Sequence, residues 1–484
     1  MRAAPPFLLL TAMAVAVPAS AQTETAVPAS ATGATSAASA TRTSGSSSLL
    51  SPYFRGVPSG TLSAETLQLT ILDAVQRALD HNLGALVAEQ RVNESEGARW
   101  RALGDLLPNV SGRLSASRQK VNLEAFGFPL PPGVPPVVGP FNVYDARVFL
   151  TQSVYDLRAI YGHRAEQRNE DAARFDVKNA RDLVVLVSAN SYAQALAASA
   201  LVDAAKAQLE TAQALHQQAV DLKQAGIVAG IDVLRAEVQV STARQRVTVT
   251  EADFEKSKLQ LARIIGLPLG QIFTLQDRIR PVAFPDMRLD QAVERAYQER
   301  GDYKAALARV EAADANRRAA KGELLPSVRL TADYGDIGLT PGDAHVSYNL
   351  TGAVNVPIFA GRTKGRVIEA EAELQNRRNE LDDLKAGIYY EVRTAFLDLQ
   401  SGREQLEVAT RGRDLAGQQL TQARDRFAAG VAGNIEVVQA QEAVALAADQ
   451  YISAMFTSNL AIGNLVRALG IAQDVVRQLL GEGR

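Results

Sequence analysis

The chain has 484 residues, room for two or three ordinary domains, and 51 Lys and Arg against 53 Asp and Glu leave a formal net charge of −2. That balance offers no broad basic field to a nucleic acid, and the absence of cysteine removes disulfides, thiol catalysis, Cys-type zinc sites and anchoring through a lipidated N-terminal cysteine. Hydrophobic residues make up 47% but aromatics only 6%, so Ala, Val and Leu carry the apolar content, a mix suited to long, closely packed helices.

At the N-terminus a charged Met1-Arg2 precedes an apolar core through Phe7–Leu10 and Ala12–Val17, and Ala19-Ser20-Ala21 supplies a small-x-small cleavage pattern. Residues 1–21 read as a secretory signal peptide, with Gln22 the first mature residue; the run is too short to span a bilayer and Pro18 ends it. Residues 22–48 are Ala, Thr, Ser and Gly almost throughout and cannot bury enough apolar surface to order themselves, so 22–61 is expected to be disordered. Beyond it no stretch of ~18 uninterrupted apolar residues occurs, the best candidate, Leu183–Val202, being broken by Ser188, Asn190, Ser191 and Gln194. If the mature chain enters a membrane, it does not do so by helices.

The rest of the chain is duplicated. Ala74-Val75 and Leu106-Leu107-Pro108-Asn109-Val110 recur as Ala292-Val293 and Leu324-Leu325-Pro326-Ser327-Val328, at an offset of 218. Ala225-Gly226-Ile227, Ile231-Asp232-Val233 and Leu261-Ala262-Arg263 recur as Ala429-Gly430-Val431, Ile435-Glu436-Val437 and Leu465-Val466-Arg467, at an offset of 204. The first copy therefore carries a longer loop, visible as the proline-dense segment from Phe126 to Pro140. Residues 62–267 and 288–471 are two copies of one unit, joined by a linker, 268–287, and followed by a tail, 472–484.

Within the first copy, alternation of apolar and polar residues predicts strands over 109–121 and 142–155, with Phe149 out of pattern. Long helices follow over 157–226 and 231–266, the second with a seam at Val233, Ala236, Val240, Ala243, Val247 and onward to Leu261 and Ile264. The second copy predicts strands over 327–336 and 345–358 and helices over 361–429 and 435–469. Its seams, from Ile388 to Phe427 and from Val437 to Ala468, alternate steps of three and four, the coiled-coil signature, with Arg413 the one serious break. The helix from Leu157 to Ala225, free of proline, would reach roughly 100 Å, longer than any ordinary domain needs. Strands with one apolar and one polar face, separated by Gly/Pro/Asp loops, fit a membrane β-sheet with one face to lipid and the other to water. One chain supplies four such strands, whereas the smallest membrane barrels have about eight, so several chains must close one barrel. The helices, which leave the strands directly, would continue that barrel as a tube.

The doubled Leu-Leu-Pro-x-Val junctions and the paired helix turns, Lys223–Leu234 and Arg426–Val438, resemble those of TolC-type outer-membrane efflux proteins of Gram-negative bacteria across residues 62–471. The resemblance implies a fold that is mainly α with membrane β: a duplicated unit of long coiled-coil helices plus a β-hairpin, forming a trimeric α-barrel continuous with a twelve-stranded outer-membrane β-barrel. It implies a homotrimer in outer-membrane lipid, docking to a periplasmic adaptor and an inner-membrane pump, and passive conduction of drugs, small molecules or proteins to the exterior. By resemblance the turns form the periplasmic tip, where Asp232 and Glu436 would make rings of carboxylates acting as a cation filter and gate. The same two acids also suit the first turn of a helix through its dipole. Gly226 and Gly430 are expected as helix C-caps with positive φ, with Gly230 and Gly433 completing the turns. Where the family carries an Arg two residues after the second turn glycine, this chain has Ala432, so the resemblance does not extend to a salt-bridge lock there. No catalytic, phosphate-binding or metal motif is present, and His163, His216 and His345 are assigned no role, so no enzyme activity, cofactor or metal is expected. The alternative reading is a periplasmic adaptor-like coiled-coil protein without a pore, which would carry one hairpin rather than a duplicated unit.

Overall fold

A computed structural model describes residues 51–127, 133, 135–281, 287–431 and 433–476. The expected signal peptide, most of the expected disordered segment, Ala432 and the tail from 477 lie outside the described residues. The first copy comprises β1 (Leu67–Leu69), α1 (Ile71–His81), α2 (Leu83–Gly104), β2 (Asn109–Asn122), β3 (Val137–Tyr155), α3 (Leu157–Gln224) and α4 (Gly230–Ile264). After β4 (Phe273–Leu275) come α5 (Leu289–Glu299), α6 (Gly301–Gly322), β5 (Ser327–Gly338), β6 (His345–Asn355), α7 (Gly361–Ala428) and α8 (Asn434–Ala468).

Helix lengths match pairwise between copies. They are 11 residues for α1 and α5, 22 for α2 and α6, 68 for α3 and α7, and 35 for α4 and α8. The strands do not match, so the change of offset is absorbed in the hairpins. The sequence seams are the buried lines of the long helices: Ile388, Val392, Ala395, Leu399, Ala416, Ala423 and Phe427 on α7 against Val437, Ala440, Ala447, Ala454, Ala461 and Leu465 on α8. Gly402 sits in this seam because an added Cβ would come within 3.2 Å of Ser458 Cα on α8. Arg413, the seam breaker, lays its guanidinium over the Tyr451 ring at 4.1 Å and pairs with Asp414 at 3.3 Å, keeping its charge wet while its stem covers the seam.

α3 packs against α2, α4, α6 and α8, and α7 against α6 and α8. The order across the wall is therefore α2–α3–α6–α7 in the half next to the strands and α4–α3–α8–α7 in the other half. Two members, α3 and α7, are continuous and about 100 Å long by their 68 residues. The other two are composite. α4 ends where α2 begins, and Asn82 between α1 and α2 joins them: its Nδ2 donates to the Tyr53 carbonyl (2.8 Å) and the Ile264 carbonyl (3.3 Å), while its Oδ1 accepts from Gly84 N–H (2.9 Å). At the same place in the second copy Arg300 is 1% exposed, and its Nη1 donates to the Ala468 carbonyl at the end of α8 (3.3 Å). Its guanidinium also binds Asp302 (3.0 and 2.6 Å) and Glu391 of α7 (2.6 Å).

α1 on α3 and α5 on α7 thicken the wall at these joints. The core beneath α1 gathers Leu69, Ala74, Tyr192, Leu261, Ile264 and Phe273; that beneath α5 gathers Ala292, Ile388, Val392, Leu465 and Leu469. The buried Tyr192 hydroxyl lies 2.9 Å from the Leu69 carbonyl and 2.8 Å from Asp277 Oδ2, and burial, then the Asp277 carboxylate, push its pKa up. Among the described residues α3 is the one helix long and apolar enough to cross a membrane by composition, and it packs between α2 and α6 in one half of the wall and between α4 and α8 in the other.

Four features depart from the sequence expectations. Residues 52–57, placed in the disordered segment, are ordered: Pro52–Phe54 form a 3-10 turn, Tyr53 and Phe54 pack on the core, and Gly56 N–H donates to the Arg263 carbonyl (2.6 Å). Two aromatics supply the apolar surface that the preceding Ala/Thr/Ser segment lacks. The linker contains β4, which pairs in parallel with β1, a contact too short to show a period. β3 starts at Val137 rather than 142, because a bulge between Gln119 and Val121 lets the ladder pass Gly139-Pro140, while β6 stops at Asn355 ahead of Pro357, which has no N–H to donate. The first tail residues, Ala472–Val476, are helical with Ala472 and Val476 buried, and Gln473 N–H donates to Asp182 on α3 (3.0 Å).

Candidate functional site

The four long strands form one antiparallel sheet in the order β2-β3-β5-β6. Its register aligns the apolar residues in rows across all four: Val110, Leu150, Ala332 and Leu350, then Gly112, Val148, Tyr334 and Tyr348. Val110, Val148, Tyr334, Tyr348 and Leu350 are exposed, so this face has no partner among the described residues and is suited to lipid. The opposite face carries Asn109, Thr151, Thr331 and Thr351 in one row, Ser111, Phe149, Asp333 and Asn349 in the next, and Arg113, Arg147, Gly335 and Ser347 in a third. Arg147 pairs with Asp145 and with Asp333 (3.1 Å), and Phe149 lies beneath the guanidiniums of both Arg113 (5.3 Å) and Arg147 (5.6 Å). The residue that broke the alternation is thus an aromatic support for two opposed arginines.

At the far end of the long helices the two turns are built alike. Gly226 has φ +73 and Gly430 φ +71. Gly226 N–H donates to Lys223 O and Ile227 N–H to Leu222 O, while Gly430 N–H donates to Phe427 O and Val431 N–H to Arg426 O, all at 2.9–3.0 Å. These are the paired bonds of a Schellman motif, which satisfies the last carbonyls of α3 and α7. Gly230 is the first residue of α4, and Gly433 precedes α8 with extended backbone (φ −80, ψ 159). Asp232 and Glu436 both stand in the first turn of their helices. Asp232 pairs with Arg235 (3.3 Å), Glu436 with Arg426 at the end of α7 (3.6 Å), and the nearly buried Asn434 donates from Nδ2 to the Asp232 carbonyl (2.9 Å), tying one turn to the other. Sequence reasoning missed Asn434, Arg426 and Arg235. For Asn434 and Arg426 the signal is a break in the internal symmetry, since at offset 204 Asn434 replaces Gly230 and Arg426 replaces Leu222. A core of Leu215, Ala423, Phe427, Val437 and Ala440 backs both turns. Ile227, Ile231, Val431 and Ile435 are left exposed.

A sheet with one lipid-suited and one charged face, running strand by strand into a helical wall, defines a subunit of a transmembrane channel. Residues 74–267 and 292–470, one segment in each copy, match the sequence profile of the outer membrane efflux protein family. The chain belongs to that family and is an efflux channel protein of the outer membrane; an adaptor without a pore is thereby set aside. The pyoverdine export outer membrane protein OpmQ of Pseudomonas putida is 25% identical over 420 residues, covering 83% of this chain and 86% of that protein. Among solved structures the outer-membrane channel OprN superposes with a TM-score of 0.70 at 20% identity, covering 83% of this chain and 89% of that one. The Campylobacter jejuni CmeC outer membrane channel superposes with a TM-score of 0.70 at 18% identity, covering 83% and 85%. The fold of these channels is therefore the fold of this chain.

Proposed function

We propose that three copies close a twelve-stranded barrel in the outer membrane and a helical tube beneath it, and that the tube receives cargo from a periplasmic adaptor and an inner-membrane pump. The observation that carries this reading is the pair of open edges. Among the described residues the outer edges of β2 and β6 have no partner strand, and unpaired backbone groups in lipid cost several kcal/mol each. The helices continuing those edges, packed on one side within the chain, leave an apolar outward face exposed. α7 exposes Tyr390, Leu397, Val408 and Leu415, steps of seven and eleven residues that return to one helix face, and α4 exposes Leu234, Val238 and Val249. Joining β6 and α7 of one copy to β2, α2 and α4 of the next satisfies strands and helices together.

The exposed Ile227, Ile231, Val431 and Ile435 give the tip an apolar rim for the adaptor. Asp232 and Glu436 would form two acidic rings there, each carboxylate also favoured by the dipole of its own helix. Relatives are named for pyoverdine export and for toluene efflux, which supports a conduit whose cargo is small organic molecules chosen upstream by the pump. The test is the native mass of the detergent-solubilised mature protein together with planar-bilayer conductance. A trimer passing discrete currents is expected; a monomer that passes none refutes the proposal.

A further inference from the structure

On the charged face of the sheet the first hairpin differs chemically from the second. Arg113, Asp145, Arg147 and Phe149 occupy places that the repeat offsets assign to Thr331, Asn349, Thr351 and Ala353. Directly opposed like charges on neighbouring strands repel, yet Arg113 and Arg147 face each other across β2 and β3. Arg147 is compensated by Asp145 and Asp333, whose side chains are only 15% and 14% exposed. Arg113 is exposed, and among the described residues no carboxylate lies within ion-pair distance of it. Phe149 holds its guanidinium at 5.3 Å from the ring centroid, which fixes a planar cation with five donors on a face whose acids are largely covered. The adjacent row, Ser111, Phe149, Asp333 and Asn349, holds one acid, already paired with Arg147, and the row beyond it, Asn109, Thr151, Thr331 and Thr351, is neutral, so Arg113 is a local step in potential rather than part of a basic field.

We propose that Arg113, pre-oriented by Phe149, is a binding subsite for planar anions, carboxylates or aromatic sulfonates, on the exit path of the channel. The inference rests on the barrel closure proposed above, which turns this face into a lumen and repeats the subsite three times. A guanidinium binds planar anions through parallel N–H donors, and its remaining face stacks on a ring.

The experiment is block of single channels in planar bilayers by pyrene-1,3,6,8-tetrasulfonate, added in turn to each side. Block is expected from the side of the strand loops, which reaches the barrel without passing the helical tip. Arg113→Gln should weaken it about tenfold, and Phe149→Leu severalfold with the charge unchanged. Arg113→Lys, which keeps the charge but not the planar fork, should restore less than half of the lost affinity. Unchanged unitary conductance shows that the variants have assembled; if Arg113→Gln fails to assemble, Phe149→Leu alone decides through the same block. Equal block of wild type and variants overturns the subsite while leaving the channel intact. Absence of current from the wild type overturns the channel reading instead.

Discussion

Arg300 is the residue whose removal most directly tests how the wall is assembled. It closes the joint between α8 and α6 by holding the Ala468 carbonyl, Asp302 and Glu391 at once. Arg300→Ala deletes a buried cation and strands a half-buried carboxylate, and breaking a buried pair costs about 3–5 kcal/mol. Glu391, more than half exposed, recovers its hydration in the variant, so the lower end, about 3 kcal/mol, applies. Hydrogen exchange should then speed up about a hundredfold in α8 near Ala468 and in the first turns of α6, each 1.4 kcal/mol being a factor of ten. Amides at the α4–α2 joint act as the internal control, because that joint is held by Asn82, Gly56 N–H and Arg77 rather than by Arg300. Asn82→Ala should loosen its own joint by about 1–3 kcal/mol, the cost of leaving buried polar groups unpaired, and spare the other. Exchange at the α8–α6 joint within about threefold of wild type would refute the argument that Arg300 welds the composite rod.

The same joint has a pH signature. Burial pushes the Asp302 carboxyl up, but the hydrogen-bonded Arg300 guanidinium more than offsets this and holds it below the ordinary aspartate value. A depressed carboxylate contributes stability that is present above its unfolded pKa and is lost as pH falls through the folded one. The wild-type joint should therefore survive to acid pH below the usual aspartate range. In Arg300→Ala the burial stays and the main counterion goes, so the loss should move to higher pH.

Asp182 has the opposite shift: burial raises its pKa, only partly countered by the Gln473 N–H, so its ionised form costs stability as pH rises above the ordinary aspartate range. Asp182→Asn, which keeps an acceptor for Gln473, should raise Tm at pH 7 and lose that advantage toward pH 4; a lower Tm at both pH values refutes this. Gly226→Ala and Gly430→Ala should each cost about 1 kcal/mol, since φ is positive but an added Cβ meets nothing within 4 Å. Gly470→Ala should cost more, measured by thermal melting of the purified protein, because its Cβ would lie 2.7 Å from Arg300 Cα. Val408→Asp, on the exposed stripe of α7, should shift native mass from trimer to monomer with helix content unchanged by circular dichroism. Asp232→Asn with Glu436→Gln should lower the potassium-over-chloride permeability ratio; unchanged selectivity with lowered stability would assign both acids to helix capping alone.

Much of the architecture was legible because it is periodic. Seams from Ile388 to Phe427 and from Val437 to Ala468 need only a count of three and four, and the alternation from Val328 to Tyr334 needs only a count of two. The duplication then fixed the order of elements twice over. What stayed hidden is what no period reports. The three-residue β1 and β4 are too short to repeat anything, and the Tyr192 hydroxyl that bonds the end of β1 reaches Asp277 from 85 positions away. Asn82 and Arg300 look like ordinary residues between two helices until the ends of α4 and α8 arrive beside them.

The hidden residues share a second property, which bears on how the two copies divide their labour. Asn82 against Arg300, Gly230 against Asn434, Leu222 against Arg426, and Phe149 against Ala353 are all places where the copies disagree. Where they agree, the residue serves a repeating need: a seam alanine, a Schellman glycine, a strand-start proline. In the proposed trimer the second copy of one subunit would meet the first copy of the next, so departures from symmetry would distinguish the contact between subunits from the contact within one. The disagreements place a guanidinium weld and a side-chain bridge from the second copy at one joint and one turn, and an arginine–phenylalanine stack from the first copy at the exit. Symmetry thus accounts for the scaffold and for the paired acids Asp232 and Glu436, while the proposed anion subsite and the side chains that bridge one joint and one turn lie in the departures from it.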